Sequence, residues 1–220
     1  MINIDFIPHH RPVLTDEELV NNAKSFYDQM KDRRTIRHFS NRDVPREVIE
    51  YILKTASSAP SGANKQPWSF AVISSPEMKH TIRVAAEKEE KQNYSGRMSE
   101  AWLDDLRPLG TDANKPFLED APHLIAVFKK AYEITPEGKK KNYYVNESVG
   151  LAAGFLISAI HQAGLCSLTH TPSPMNFLEK ILKRPPNERA VLLIPVGYPS
   201  EDAIVPDILK KNIDEIATWY

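Results

Sequence analysis

The sequence predicts an α+β domain, because segments with a helical period alternate along the chain with short apolar strands. Of the 220 residues, 41% are hydrophobic, which is enough to form a buried core. The clearest strands lie at residues 123–128 and 190–196, and the longest apolar helix lies at 146–163. The same alternation is compatible with α/β layering, so the pattern predicts layers and leaves the strand order open.

Three helices are predicted in the first part of the chain from their start signals. Thr15 and Glu18 have the spacing of a capping box, so a first helix runs to about residue 31. Pro45 suits the first turn of a second helix, whose apolar residues follow helical spacing. Ser75, followed by a proline, begins a third helix that extends to about residue 91.

The helix at 146–163 is rich in small residues, including Gly150 and Gly154, and Gly164 ends it. Small residues let a second helix approach closely, so this segment is either a central core helix or the seam of a dimer. A short helix follows at residues 175–182.

Four strands are predicted from apolar runs at residues 68–74, 123–128, 165–168 and 190–196. Residues 136–141 form a basic turn between the second strand and the long helix.

The chain shows no repeat and no linker, so we predict a single domain over residues 1–220. Residues 1–15 form an N-terminal arm and residues 206–220 a polar C-terminal tail that suits contact with a partner subunit. Residues 86–120 are charged and poorly periodic, which indicates helical pieces on the surface and a candidate active-site lid.

Composition excludes several classes of protein. The net charge is −1, with 28 basic and 29 acidic side chains, so no overall field favours nucleic acid or a membrane surface. Cys166 is the single cysteine, which excludes an intrachain disulfide. The apolar run at 149–160 is too short to cross a bilayer, which needs about 20 residues. We therefore expect a cytoplasmic protein without a membrane anchor.

Several functional motifs are missing. The sequence has neither the glycine-rich dinucleotide motif nor a P-loop, and it lacks the serine-hydrolase elbow. The seven histidines show no metal-ligand spacing, so no metal site is predicted.

The most informative feature pairs a basic cluster with a turn 22 residues further along the chain. Clustered guanidinium groups repel one another and make poor core, whereas they suit a phosphate. A Pro/Ser/Gly turn leaves backbone amides free to hold a polar ligand. The cluster comprises Arg33, Arg34, Thr35, Ile36 and Arg37, and the turn contains Pro60, Ser61, Gly62 and Ala63.

Together these two segments resemble the signature of the nitroreductase-type flavoproteins, which bind flavin mononucleotide (FMN). The resemblance implies an α+β nitroreductase-like fold with a mixed central sheet flanked by helices and an intertwined homodimer. It implies that the cluster holds the FMN phosphate together with Lys210 or Lys211. It also implies that Pro60, Ser61 and Gly62 approach the flavin. The flavin ring is then expected to face Thr169, His170 and Thr171.

A second and more specific resemblance is carried by residues 87–94, 97–98, 102, 105–106, 115, 138–141, 144, 146–147, 169–172, 195–200 and 205–207. Through these residues, and over nearly everything from about residue 33 to the C-terminus, the chain resembles the iodotyrosine deiodinases. It implies FMN-dependent reductive removal of iodide from a halotyrosine, giving tyrosine.

In that family a glutamate, a tyrosine and a lysine bind the zwitterion of the substrate, and the matching residues are Glu90, Tyr94 and Lys115. The chemistry agrees, because a carboxylate suits an ammonium group while a lysine and a phenol suit a carboxylate. Glu90 and Tyr94 are also four residues apart, hence neighbours on one helical face. The resemblance further implies that the Ala63 amide donates to the substrate phenolate and that the Thr171 hydroxyl donates to flavin N5.

Two positions depart from the family pattern. Lys210 replaces an arginine, which keeps the charge and loses the bidentate fork, and His170 is the middle residue of a threonine run. A general FMN-dependent nitro or quinone reductase would need the phosphate site but no zwitterion clamp, and a flavin-binding sensor would need no substrate. The sequence does not identify the electron donor, for which we expect a reduced nicotinamide acting directly or through a reductase.

Overall fold

The computed structural model describes residues 6–220, so the first five residues of the predicted arm lie outside the described part. The chain forms two compact units, of which the first ends at Arg33 and the second spans Arg34–Tyr220. The single domain predicted over residues 1–220 stays a prediction.

The first unit contains one helix, α1 (Asp16–Lys31). The capping box is present: the Thr15 hydroxyl accepts from the Glu18 amide at 3.3 Å, and the Glu18 carboxylate accepts from the Thr15 amide at 2.8 Å. No residue of α1 is buried. Four large apolar side chains of this helix are more than half exposed, namely Leu19, Val20, Phe26 and Tyr27.

The second unit contains the sheet and the remaining helices. Its helices are α2 (Arg46–Ser57), α3 (Pro76–Gln92), α4 (Glu100–Leu106), α5 (Phe117–Asp120), α6 (Val145–Gln162), α7 (Asn176–Ile181) and α8 (Ile213–Ile216). Its strands are β1 (Trp68–Ile73), β2 (His123–Lys130), β3 (Tyr132–Thr135), β4 (Gly138–Lys141), β5 (Cys166–Ser167) and β6 (Glu188–Gly197).

The main sheet has the order β1-β2-β6-β5, and each of its three strand pairs is antiparallel. Thr35 adds a parallel bridge to Ser167, which gives the sheet edge its mixed character. The four predicted strands and the predicted helices are all present, so the α+β fold class is confirmed. Residues 136–141, predicted as a turn, instead include β4, which pairs with β3 in a separate hairpin.

Alternate residues of β2 face two different cores, because successive side chains of a strand point to opposite faces. Ile125 and Val127 pack among residues of α2 and α6, whereas Leu124, Ala126 and Phe128 pack among residues of α3, α5 and α7. The sheet therefore lies between two layers of helices.

Helix α6 packs into the core on one side and is exposed on the other. Its residues Ala152 and Leu156 are fully buried, while Leu151 is 48% exposed and Phe155 is 40% exposed. A Cβ added at Gly154 would meet no atom within 4 Å. The helix ends at Gln162, and Gly164 follows two residues later with a φ of 77°, which is costly for other residues. Within residues 6–220, no helix combines the length and apolar character that crossing a membrane requires.

Candidate active site

Thr35 and Ile36, in the middle of the arginine cluster, lie along the edge of the main sheet. The Ile36 amide donates to the Ser167 carbonyl at 3.2 Å, next to the Thr35–Ser167 bridge. Arg34 donates to the Pro206 carbonyl, so the C-terminal tail begins beside the cluster. Arg33 is the last residue of the first unit, where its amide donates to Met30.

Arg37 is partly buried, and its burial lowers the pKa of the guanidinium group. Within residues 6–220, this group has no hydrogen bond and no ion pair. A partly desolvated cation without a partner is costly unless an anion or a polar acceptor binds it. Arg37 therefore fits the phosphate or another acceptor of a bound cofactor.

Lys210 and Lys211, the other predicted phosphate ligands, are exposed on the tail. They follow Pro206 by only a few residues, so the Arg34–Pro206 hydrogen bond brings the start of this segment to the cluster. Their contact with the phosphate stays a prediction.

The segment 169–171 presents two hydroxyl groups on one side and an imidazole on the other. His170 is paired with Leu193 of β6 by two backbone hydrogen bonds of 2.9 Å. Because side chains alternate along an extended segment, Thr169 and Thr171 share the exposed face, and His170 points inward. Both threonine side chains are therefore accessible to a ligand, whereas the His170 ring is buried and its backbone groups are engaged with Leu193.

The His170 ring lies edge-on to Phe117, with 5.6 Å between centroids. Its Nε2 atom is buried and has no hydrogen-bond partner in the part of the chain that the structure describes. Burial, together with the positive charges of Lys115 and Arg37, lowers the pKa of His170 to about 3. The imidazole is therefore neutral at physiological pH.

The turn after Pro60 adopts strained backbone conformations. Ala63, Asn64 and Gln66 have φ values of 50°, 52° and 46°. The Gly62 amide donates to Ser148 at 3.3 Å, and the Gln66 amide donates to the Ser61 hydroxyl at 2.9 Å. Non-glycine residues in this region are unfavourable, and such strain is concentrated at functional sites.

No hydrogen bond within residues 6–220 uses the Ala63 amide, which is thus free to donate to a ligand. Gly62 allows a close approach, since a Cβ there would lie 2.6 Å from the Tyr144 ring. Sequence reasoning matched Tyr144 to the family but gave it no role, because this contact joins residues far apart in the chain and has no local signal.

The three predicted substrate ligands lie together. Lys115 Nζ is 3.8 Å from Glu90 Oε2 and 5.5 Å from the centre of the Tyr94 ring. Glu90 is 6% exposed and Lys115 is 4% exposed, so both charges are buried. Lys115 also donates to Thr111 at 3.2 Å and to the Asp112 carbonyl, and the Tyr94 hydroxyl donates to the Thr111 carbonyl at 3.1 Å.

Burial raises the pKa of Glu90 and lowers the pKa of Lys115, and in each case the opposite charge of the partner counteracts the shift. We call Glu90, Tyr94 and Lys115 the clamp. Its two charges neutralise each other, and the direct contact between them is longer than a hydrogen bond.

The predicted lid begins within α3, and polar contacts fasten its C-terminal end to the same helix. Lys79 donates to the carbonyls of Glu119 and Ala121, both at 2.7 Å. Glu87 accepts from Arg83 at 2.7 Å and from the Lys115 amide at 2.8 Å. The helical character predicted for residues 86–120 is present, but Phe117 and Leu118 near its end are core residues. Motion of a lid would therefore be confined to the residues between α3 and α5.

The predicted site residues form two groups. Arg37, the clamp and His170 are close enough for their charges to interact. Ser61, Gly62 and Ala63 lie instead near the start of α6. Within residues 6–220, no hydrogen bond, ion pair or ring contact joins the first group to the second.

Arg37 and the segment 169–171 have side chains that fit FMN. The unpaired Arg37 suits the phosphate or a polar edge of the cofactor, and the exposed hydroxyls of 169–171 suit the ring. In the described part of the chain, no cluster of three potential metal ligands exists.

Comparison with known proteins agrees with this geometry. Residues 30–198 match the model of the nitroreductase family. The iodotyrosine deiodinase of Haliscomenobacter hydrossis is 61% identical over 216 residues, covering 98% of this chain and 97% of that protein. Human iodotyrosine deiodinase 1 is 42% identical over 216 residues, covering 97% of this chain and 75% of that protein.

A crystal structure of an iodotyrosine deiodinase bound to FMN and 3-iodo-L-tyrosine superposes with a TM-score of 0.75 at 35% identity. The match covers 88% of this chain and 100% of the other. The chain therefore belongs to the nitroreductase family and, within it, to the iodotyrosine deiodinases.

Proposed function

We propose that this chain is an FMN-dependent oxidoreductase that removes iodide reductively from 3-iodotyrosine and related halotyrosines. The observation that carries the proposal is the buried clamp, in which Glu90 and Lys115 lie 3.8 Å apart beside Tyr94. Two opposite buried charges match the ammonium and carboxylate groups of an amino acid.

Binding of the substrate exchanges one set of charge contacts for another. The substrate ammonium group takes a position against Glu90, and its carboxylate meets Lys115 and the Tyr94 hydroxyl. Lys115 keeps its contacts to Thr111 and Asp112, which fix its position. A ligand with only one of the two charges would leave the other clamp residue buried without a partner, so the clamp selects a zwitterion.

Other residues hold the cofactor and the phenol ring. Arg33, Arg34, Thr35, Ile36 and Arg37, with Lys210 or Lys211, hold the FMN phosphate, and Pro60, Ser61 and Gly62 approach the flavin. The Ala63 amide donates to the phenolate oxygen, and the Thr171 hydroxyl donates to flavin N5. When bound, FMN supplies the two electrons that the reaction consumes. The lid over residues 86–120 excludes water from the closed site.

We also propose that the active protein is a homodimer. Helix α1 has no buried residue and presents four exposed apolar side chains, and α6 exposes Leu151 and Phe155. The tail 206–220 ends in Trp219 and Tyr220, both exposed. These surfaces suit a partner subunit, and a second copy could bring the Ser61–Ala63 group to the clamp, which the single chain does not do. A reducing cytoplasm is compatible with the unpaired Cys166.

A general nitro or quinone reductase is the alternative function. The free Ala63 amide and the cofactor ligands would serve it equally well, whereas a buried zwitterion clamp would have no role. The electron donor we propose is a reduced nicotinamide, acting directly or through a protein.

The test is turnover of purified holoenzyme with dithionite as the reductant. We expect iodide and tyrosine from 3-iodotyrosine, and little iodide from 2-iodophenol at the same concentration. Equal turnover of the two compounds would favour the general reductase. If neither compound were dehalogenated, the result would favour a flavin-binding sensor.

A further inference from the structure

The hairpin of β3 and β4 carries a face that the proposed reaction does not use. In its antiparallel register, Tyr132 is opposite Lys141 and Ile134 is opposite Lys139. Opposed residues of a strand pair share one face, so these four side chains lie together. We call them the basic hairpin face.

The charges of this face are not compensated. Lys139 and Lys141 are exposed, and neither forms an ion pair within the part of the chain that the structure describes. Lys139 lies over the Tyr132 ring at 4.8 Å, and Ile134 is 58% exposed. A small apolar centre with a cationic rim is suited to an acidic protein partner, since rim charges steer the encounter.

The position of the hairpin links it to the cofactor. Asn142 fixes its base by donating to the carbonyls of Lys130 at 2.9 Å and Ala131 at 3.1 Å. The chain then continues to Tyr144, whose ring packs on Gly62. Tyr144 is three positions after Lys141, so their Cα atoms are at most about 11 Å apart. If the proposed function is correct, the basic hairpin face lies close to the flavin.

We propose that the basic hairpin face is the docking surface for an acidic one-electron carrier protein, of the ferredoxin or flavodoxin class, that reduces the flavin. Dehalogenation breaks a carbon–iodine bond, forms a carbon–hydrogen bond with a proton from solvent, and releases iodide. This change consumes two electrons, so two reduced carrier molecules are oxidised per turnover. A transient contact of this kind needs only a small interface, and the four side chains can form its centre.

The probe is a plant-type [2Fe–2S] ferredoxin, tested on the holoenzyme and on the variant Lys139→Glu/Lys141→Glu. The matched control is Lys54→Glu/Lys180→Glu, which makes the same change in charge at exposed lysines elsewhere, with Lys54 likewise over a tyrosine ring. Binding of oxidised ferredoxin is measured by calorimetry, and reduction of the flavin by reduced ferredoxin is measured by stopped-flow absorbance. Both are repeated at low and high ionic strength.

At low ionic strength we expect the hairpin variant to lose about 10- to 100-fold in the ferredoxin rate constant, and most of its salt dependence. Ferredoxin binding should weaken in parallel, and the control should behave as wild type. Dithionite-driven dehalogenation should be unchanged in both variants, which separates this proposal from the proposed function.

Three results would overturn the proposal. The first is equal ferredoxin binding and reduction in the wild type and the hairpin variant, or no reaction of ferredoxin with the wild type. The second is direct reduction by NADPH that depends on the two lysines, which would assign the face to a nucleotide phosphate. The third is a change of oligomeric state in the hairpin variant by sedimentation, which would assign the face to a contact between copies.

Discussion

Replacing Glu90 with glutamine tests the clamp with almost no change in side-chain shape. Glu90 is 6% exposed, and its one charged partner in the described residues is Lys115, at 3.8 Å. The variant leaves Lys115 buried with two neutral hydrogen-bond acceptors, the Thr111 hydroxyl and the Asp112 backbone carbonyl. It also removes the group that we propose as the partner of the substrate ammonium.

The size of the effect follows from the burial and the distance. Two unit charges about 4 Å apart interact by about 1 kcal/mol in water and by about 4 kcal/mol at the effective dielectric of a protein surface. A hydrogen bond to a charged group is worth about 1.5–3 kcal/mol. A loss of about 2–3 kcal/mol in the binding of 3-iodotyrosine corresponds to roughly 30- to 150-fold in Kd.

The assay is titration of oxidised holoenzyme with 3-iodotyrosine, followed by flavin fluorescence, with 2-iodophenol as the ligand that lacks both charges. Glu100→Gln is the matched control, because Glu100 is exposed in the same predicted lid. We expect Glu90→Gln to weaken iodotyrosine alone and Glu100→Gln to weaken neither ligand. If Glu90→Gln weakened both ligands equally, or neither, the assignment of the clamp to the zwitterion would be wrong.

Four further predictions follow from the geometry. Gly62→Ala forces a methyl group against Tyr144, so the melting temperature and the FMN content on purification should both fall, with overpacking costing about 1–3 kcal/mol. Lys79→Met leaves two carbonyls without their donor, and chemical denaturation should show a loss of about 1–3 kcal/mol. His170 has a pKa of about 3 when folded and an ordinary value of 6.5, so the unfolded chain binds the extra proton as pH falls below 6.5. Wild type should therefore lose up to about 1.4 kcal/mol per pH unit there, and His170→Thr should lose less; equal slopes would contradict this. The pKa of Glu90 is raised, so this carboxylate becomes protonated at a higher pH than an ordinary glutamate. The affinity for iodotyrosine should fall as Glu90 is protonated, and Glu90→Gln should lack this pH dependence.

Elements with local signals were predictable from the sequence. The capping box at Thr15 and the serine before Pro76 mark two helix starts within one residue, because caps are made by neighbouring residues. The apolar runs of β1 and β2 are equally local. The β3–β4 hairpin was missed because β4 reads Gly-Lys-Lys-Lys, and glycine and lysine are depleted in strands.

Site residues were predictable only in part. Family resemblance supplied the clamp, and the structure brings its three members together. The inward orientation of His170 depends on its pairing with Leu193, which no local pattern reveals. Local sequence patterns also do not reveal the Tyr144–Gly62 contact. Nor do they reveal that the buried ammonium group of Lys79 donates hydrogen bonds to carbonyls about 40 residues further along the chain.

The mutual neutralisation of Glu90 and Lys115 has a consequence for redesign of the substrate range. A single substitution leaves one buried charge without a partner. Replacing Glu90 with glutamine and Lys115 with methionine at the same time removes both charges and leaves the net charge unchanged. Buried ion pairs can often be exchanged for uncharged side chains of similar volume with little loss of stability. The double substitution is thus the natural starting point for turning this scaffold toward halogenated phenols that carry no amino-acid group, such as chlorinated pollutants.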